Sequence, residues 1–99
     1  MPRRKARVDA NQSEVVAAFR AAGATVQHLH MVGGGCPDIL IGYRGHNYLF
    51  EIKDGSKPPS RRKLTEAEQE FVDMWNGQVD IVESPEDALE KLFIKGDTE

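Results

Sequence analysis

Residues 35–55 read GCPDILIGYRGHNYLFEIKDG, and the reading of this stretch decides the fold. Two runs rich in Ile, Leu, Tyr and Phe flank a short Gly-containing centre, which is the pattern of a tight β-hairpin. The pattern predicts strands over residues 37–44 and 47–54 with Gly45 and His46 as the turn, so that Tyr43 faces Tyr48, Ile41 faces Phe50 and Ile39 faces Ile52. Those six side chains form one apolar face. The other face carries charge: Leu40 falls opposite Glu51 and Asp38 opposite Lys53, which makes Asp38 and Glu51 diagonal neighbours within about 8 Å. A slip of one residue would turn the apolar set outward, so hydrophobic patterning itself gathers Asp38, Glu51 and Lys53 on one side.

Outward from the hairpin, Ser13 is an N-cap before EVVAAFRAAG, where Val15, Val16, Ala18, Phe19 and Ala22 recur at helical spacing and Gly23 ends the run. ATVQHLHMV (24–32) alternates like a strand, with Val26, His28 and His30 on one side and Gln27, Leu29 and Met31 on the other. After the hairpin and the basic loop SKPPSRRK, Thr65 caps a helix reaching about Asn76, with Ala67, Phe71, Met74 and Trp75 as its apolar face, and Gly77 breaks it. VDIV (79–82) is a short strand, and Ser84-Pro85 opens a last helix with acids in its first turn and Lys91 and Lys95 near its end, as the helix dipole favours. The predicted order is αβββαβα, an α/β fold with a mixed sheet flanked by helices. Residues 1–12 form a basic arm, 13–94 the domain and 95–99 a tail.

A chain of 99 residues is the size of one small domain, and its 39% hydrophobic content supports a thin core that a homodimer interface would supplement. No apolar run approaches the roughly 18 residues that span a bilayer, and the basic start MPRRKAR leads into no apolar signal region, so the expectation is a soluble cytoplasmic protein. Cys36 is the only cysteine, which excludes an internal disulfide and suits a reducing compartment. The net charge of −3 conceals an asymmetry: residues 1–63 hold 11 Lys or Arg against 5 Asp or Glu, and residues 64–99 hold 2 against 11. Basic patches at Arg3, Arg4, Lys5 and Arg7, and at Lys57, Arg61, Arg62 and Lys63, remain open to a polyanion.

Two close carboxylates repel, and partial burial raises the cost unless a cation sits between them. Hard oxygen ligands suit Mg²⁺ or Mn²⁺, which are commonly held by one or two carboxylates beside a phosphate. Lys53 adds positive charge and donors next to such an ion, an assembly suited to phosphodiester hydrolysis. An Asp-Lys or Glu-Lys pair on a solvated sheet face is the plainer reading of any Glu-x-Lys alone; the Pro-Asp start on the facing strand is what tells against it here.

Gly35-Cys36-Pro37-Asp38, twelve further residues, Glu51-Ile52-Lys53 and then LTEAEQEF resemble the PD-(D/E)XK nuclease superfamily, and within it the VRR-NUC branch. The resemblance covers roughly residues 13–83 and implies a restriction-endonuclease-like fold. It further implies Mg²⁺ or Mn²⁺ bound by Asp38, Glu51 and the main-chain carbonyl of Ile52, with Lys53 near the attacking water. Glu14 corresponds to the helix-borne acid that precedes the Pro-Asp motif, an outer or second metal ligand. Gln69 corresponds to the helical glutamine after the motif, orienting Lys53 or touching phosphate. With no accessory DNA-binding domain visible in the sequence, recognition of DNA is expected to rest on backbone shape more than base identity, and a symmetric homodimer cutting four-way (Holliday) junctions is the expectation.

Lys57, Arg61, Arg62 and Lys63 are the expected phosphate clamp, and Gly34 and Gly35 let the backbone bend close to the metal cluster and a DNA phosphate. A zinc site at His28, His30, Cys36 and His46 fits no compact ligand spacing. The triple glycine is not followed by Gly-Lys-Ser/Thr and precedes a strand, unlike a phosphate-binding P-loop. Cys36 reads as a packing residue. Phe71 and Trp75 read as core or dimer contacts before base-stacking groups. A non-catalytic nucleic-acid-binding protein using the same basic loop is the alternative, and a structural or partner-binding module a further one.

Overall fold

The computed structural model describes residues 10–97, so the expected basic arm lies up to residue 9 outside the described residues. The elements are α1 (Ala10–Ala21), β1 (Thr25–His28), β2 (Ile39–Tyr43), β3 (His46–Ile52), a 3₁₀ turn (Pro59–Arg61), α2 (Glu66–Met74), β4 (Asp80–Val82) and α3 (Pro85–Asp97). The order αβββαβα is the one the sequence predicts. One four-stranded sheet runs β1-β2-β3-β4, antiparallel from β1 to β3 and parallel between β3 and β4. A parallel pair cannot be joined by a tight turn, and here the connection is the basic loop plus α2.

The core forms where α1 and α3 pack on one face of the sheet: Val15, Val16 and Phe19 from α1 and Ala88 and Leu92 from α3 meet Ile39, Ile41, Tyr48, Phe50, Ile52 and Val82. Phe19 stacks on Phe50 with ring centroids 5.2 Å apart. The expected apolar face of the hairpin is therefore buried, with Tyr43 packed at its margin. Among the described residues no helix is long and apolar enough to cross a membrane.

The hairpin register differs from the expected one. The turn is Arg44-Gly45, and the pairs are Tyr43 with His46, Ile41 with Tyr48 and Ile39 with Phe50. Both turn residues have positive φ, 53° at Arg44 and 81° at Gly45, as a two-residue hairpin turn matching the strand twist requires. Placing Gly45 second spares His46 that conformation. The shift is two positions, so neither face changes sides. Its consequence is local: continued by one residue, the register sets Asp38 across from Glu51, where the sequence had set Lys53.

Other differences lie at element ends. Helix α1 is already formed at Ala10, ahead of the expected cap Ser13, and β1 stops at His28, after which Leu29 N–H still donates to the Asp38 carbonyl at 2.8 Å before the chain turns. Helix α2 ends at Met74 and buries no residue fully. Its expected apolar face is correspondingly open, with Ala67 exposed, Met74 70% exposed and Trp75 44% exposed, so Trp75 is not a core residue.

Candidate active site

Hairpin alternation sends Asp38, Glu51 and Lys53 to the face opposite the core, and α2 covers them there. The start of β2 and the end of β3, side by side in the middle of the sheet, thus gather a carboxylate pair, and α2 adds a third. Asp38 is fixed by the backbone: its Oδ2 accepts from Ile52 N–H at 2.7 Å, so the side chain stands in for a strand partner. Glu51 is buried at 3% exposure. The Lys53 ammonium lies 3.6 Å from Glu51 Oε2 and donates to Glu68 Oε1 at 2.8 Å.

Glu68 is the site residue that the sequence reading missed. Thr65 and Glu68 form a capping box: the Thr65 hydroxyl accepts from Glu68 N–H, and Glu68 Oε1 accepts from Thr65 N–H at 2.8 Å. The same oxygen accepts from the Lys53 ammonium. The capping signature Thr-x-x-Glu in TEAE was legible and pins this carboxylate toward the helix start, where the hairpin ends. Asn11 was also missed, because residues 10–12 were assigned to the arm; its side-chain amide donates to the Lys53 carbonyl at 2.8 Å.

Charge in the cluster is unbalanced. Burial, then the Asp38 and Glu68 carboxyls, push the Glu51 carboxyl up to about 9. Burial also raises Asp38, against the opposing hydrogen bond from Ile52. Burial would raise Glu68 too, but the hydrogen bonds from Lys53 and Thr65 outweigh it and hold this carboxyl below its usual range. For Lys53, burial opposes the charged form, yet the hydrogen bond to Glu68 and the neighbouring carboxylates outweigh it and raise the ammonium. The Cys36 thiol beside them is raised by burial and by Glu51 and Asp38, which keeps it protonated and argues against a nucleophilic role.

Asp38 and Glu51 beside one ammonium are a carboxyl pair that a hard divalent cation fits, because such an ion would allow Glu51 to ionise. Among the described residues no three His, Cys, Asp or Glu side chains stand together as a preassembled metal cage. Mg²⁺ and Mn²⁺ are commonly held by only one or two carboxylates, and Asp38 and Glu51 supply two.

Other residues singled out from the sequence fall nearby or elsewhere. Lys57 and Arg61 line a cavity of about 230 Å³ together with Ile52 and Lys53, which places the basic loop at the edge of the cluster. Arg62 is committed to holding that loop, donating from Nε to the Lys57 carbonyl at 2.7 Å and lying 3.5 Å from Glu83. Lys63 is exposed. Gly34 and Gly35 have φ of 67° and 79°, and a Cβ at Gly35 would run into the Ala67 carbonyl, so the glycine loop approaches the first turn of α2. Glu14 is exposed on α1 and lines a separate cavity of about 860 Å³ that also contains Asp54, Glu83 and Asp87. Gln69 is exposed on α2, and its amide donates to Asp73 at 2.9 Å; it is Glu68, one residue earlier, that holds Lys53.

If the loop clamps a polyanion, the salt dependence of binding to DNA will show it. Replacing Lys57, Arg61 and Lys63 together by Ala is expected to weaken binding to all sequences. It should also flatten the slope of log K against log salt by up to about 0.9 for each phosphate that is no longer neutralised. An unchanged slope would move the clamp elsewhere.

Comparisons with protein-family models, with curated proteins and with solved structures match none of them.

Proposed function

We propose that the chain is a Mg²⁺- or Mn²⁺-dependent endonuclease that hydrolyses DNA phosphodiester bonds, favouring branched DNA and acting as a homodimer. The observation that carries this reading is the convergence of Asp38, Glu51 and Lys53 on one face of one hairpin, with Glu68 holding the lysine from α2. A sheet face serving structure alone has no need to bury Glu51 beside a second carboxyl, since a Leu there would stabilise the fold better.

Asp38 and Glu51 would hold the ion, which when bound polarises the phosphate and lowers the barrier to attack by water. Asp38 arrives pre-oriented by Ile52 N–H, so little ordering remains to be done on binding. Lys53 has three donors, and Glu68 and Glu51 hold it in place; with 15% of its side chain exposed it can turn a donor toward a phosphoryl oxygen and stabilise the charge that develops there. Lys57 and Arg61 line the adjoining cavity and suit the flanking phosphates. Glu14 and Gln69 remain candidates for an outer metal acid and a phosphate contact when substrate is present.

The experiment is cleavage of labelled linear, flapped and four-way DNA with Mn²⁺ against EDTA. Cutting that requires the metal supports the reading, and metal-independent binding with no cutting would establish a binding protein instead. Paired nicks on a four-way junction require two symmetry-related sites, which one chain does not hold and a two-fold dimer does. Phe93 on α3, 42% exposed, and Met31 and Val32, 73% and 66% exposed, are apolar surface available to such an interface. Light scattering is expected to give a dimer, and the junction is expected to be cut faster than linear duplex. A monomer both free and on DNA would remove the junction preference while leaving the nuclease reading intact.

A further inference from the structure

We propose that the groove between α2 and the outer face of the hairpin binds one unpaired nucleobase, that of the nucleotide whose phosphate lies at Lys53; this rests on the nuclease reading and adds a substrate subsite to it. The groove has a volume of about 470 Å³ and is lined chiefly by Leu29, Leu40, Leu49, Phe71 and Trp75. That is within the range of small-ligand sites.

Strand and helix periodicity make the groove continuous with the charged cluster. Asp38, just before β2, and Leu40 share a face; Leu49 and Glu51 of β3 and Lys53, just after it, share the same one, with successive members about 6.8 Å apart. Helix α2 lays Glu68 and Phe71 over the same line at i and i+3, and its C-cap residue Trp75 continues it by stacking on Phe71. The apolar groove therefore lies next to the carboxylates and lysine on the same face, with Leu40 and Leu49 one alternation step from Asp38 and Glu51, the order in which a nucleotide runs from base to phosphate.

The aromatic wall is suited to stacking. Phe71 and Trp75 are already stacked, with centroids 4.9 Å apart and planes 20° from parallel, and Trp75 keeps 44% of its surface exposed. Base stacking on such a platform is tolerant of sequence. The floor is held in place: Gln78 exchanges two hydrogen bonds with the Leu49 backbone, 2.6 Å from its N–H and 2.8 Å to its carbonyl, and donates to Asp80 at 2.9 Å. Asn47, also lining the groove and exposed, offers a donor and an acceptor to a base edge. An unpaired base is present on a single-stranded flap, and a base at the branch point of a junction costs less to unstack and unpair than one in intact duplex, so the subsite would favour branched substrates.

Trp75 is the only tryptophan of the chain, so its fluorescence reports on the groove directly. The full chain is titrated in EDTA with a deoxyadenosine dinucleotide and with the same dinucleotide lacking its bases. Saturable quenching by the first, with the abasic compound binding at least ten-fold more weakly, is the expected result. Leu40→Glu should abolish the quenching, and Asn47→Ala, at an exposed position, should weaken it several-fold. Equal responses to the two compounds would overturn the proposal, as would a blue shift that follows protein concentration without ligand, which would place a second copy of the chain in the groove. Because the readout needs no metal, cutting with Mn²⁺ but no base-dependent quenching would sink the subsite alone, and base-dependent quenching with no cutting would sink the nuclease reading alone.

Discussion

Asp38→Asn, Glu51→Gln and Lys53→Met are each expected to lower Mn²⁺-dependent DNA cleavage by at least about 10²–10³-fold, the size of effect seen when one preorganised charge-stabilising group is removed. The two carboxylate changes should also weaken metal binding, because each removes an anionic oxygen from a site that offers two. Lys53→Met leaves Asp38 and Glu51 in place, so metal affinity should hold or rise while cleavage falls. That split separates a lysine acting on the phosphate from one that only neutralises the carboxylates. Glu68→Gln is the informative companion: the amide can still accept from Thr65 and Lys53 through its oxygen but no longer holds the ammonium by charge, so cleavage should fall less than in Lys53→Met. Wild-type cutting by Asp38→Asn would mean that the cluster is not the site.

What the sequence revealed and what it hid both follow from periodicity. The two faces of the hairpin were legible because burial of Ile39, Ile41, Tyr48 and Phe50 obliges their neighbours to point the other way. The register was not, because a two-residue shift leaves every side chain on its own face and hydrophobicity does not register it. Only turn chemistry distinguishes the two, and it favours Arg44-Gly45, where glycine takes the second positive φ. Glu68 was hidden by a similar degeneracy: on LTEAEQEF two polar residues in a row, Glu68 and Gln69, point about 100° apart, and the capping box selects the first. Trp75 looked like core because its spacing is that of a packed face, whereas α2 lies over the half of the sheet that carries the charges and packs less closely there.

The pH dependence of stability should expose the strain of the cluster. Glu51 titrates near 9 in the folded chain against an ordinary value of 4.5, chiefly through burial and then through Asp38 and Glu68. A raised folded value means that the native state holds a proton the unfolded chain has already released, so stability from this group is complete below about pH 4.5 and declines as pH rises toward 9. Asp38 is raised as well and acts in the same direction. Glu68 is lowered and acts oppositely, but its contribution changes only as pH falls through the acid range, below the window in question. Between pH 5 and pH 9 the metal-free protein is therefore expected to lose about 2–4 kcal/mol, after allowance for solvent relaxation around the pair. Glu51→Gln removes the ionisation while its NH₂ can donate to Asp38 as the protonated acid does, so the variant should match the wild type at pH 5 and exceed it at pH 9 by roughly 10 °C or more in Tm. Adding Mg²⁺ or Mn²⁺ at pH 8 should restore much of the loss to the wild type, by the ordinary linkage of binding to folding, and little to Glu51→Gln. Thermal melts across this pH range, with and without metal, give the test. A wild type whose Tm is flat from pH 5 to pH 9 would mean that Glu51 is not strained by its neighbours, and metal stabilisation equal in both proteins would mean that it is not a ligand; otherwise a substitution that strongly lowers cutting should be one that stabilises the metal-free fold.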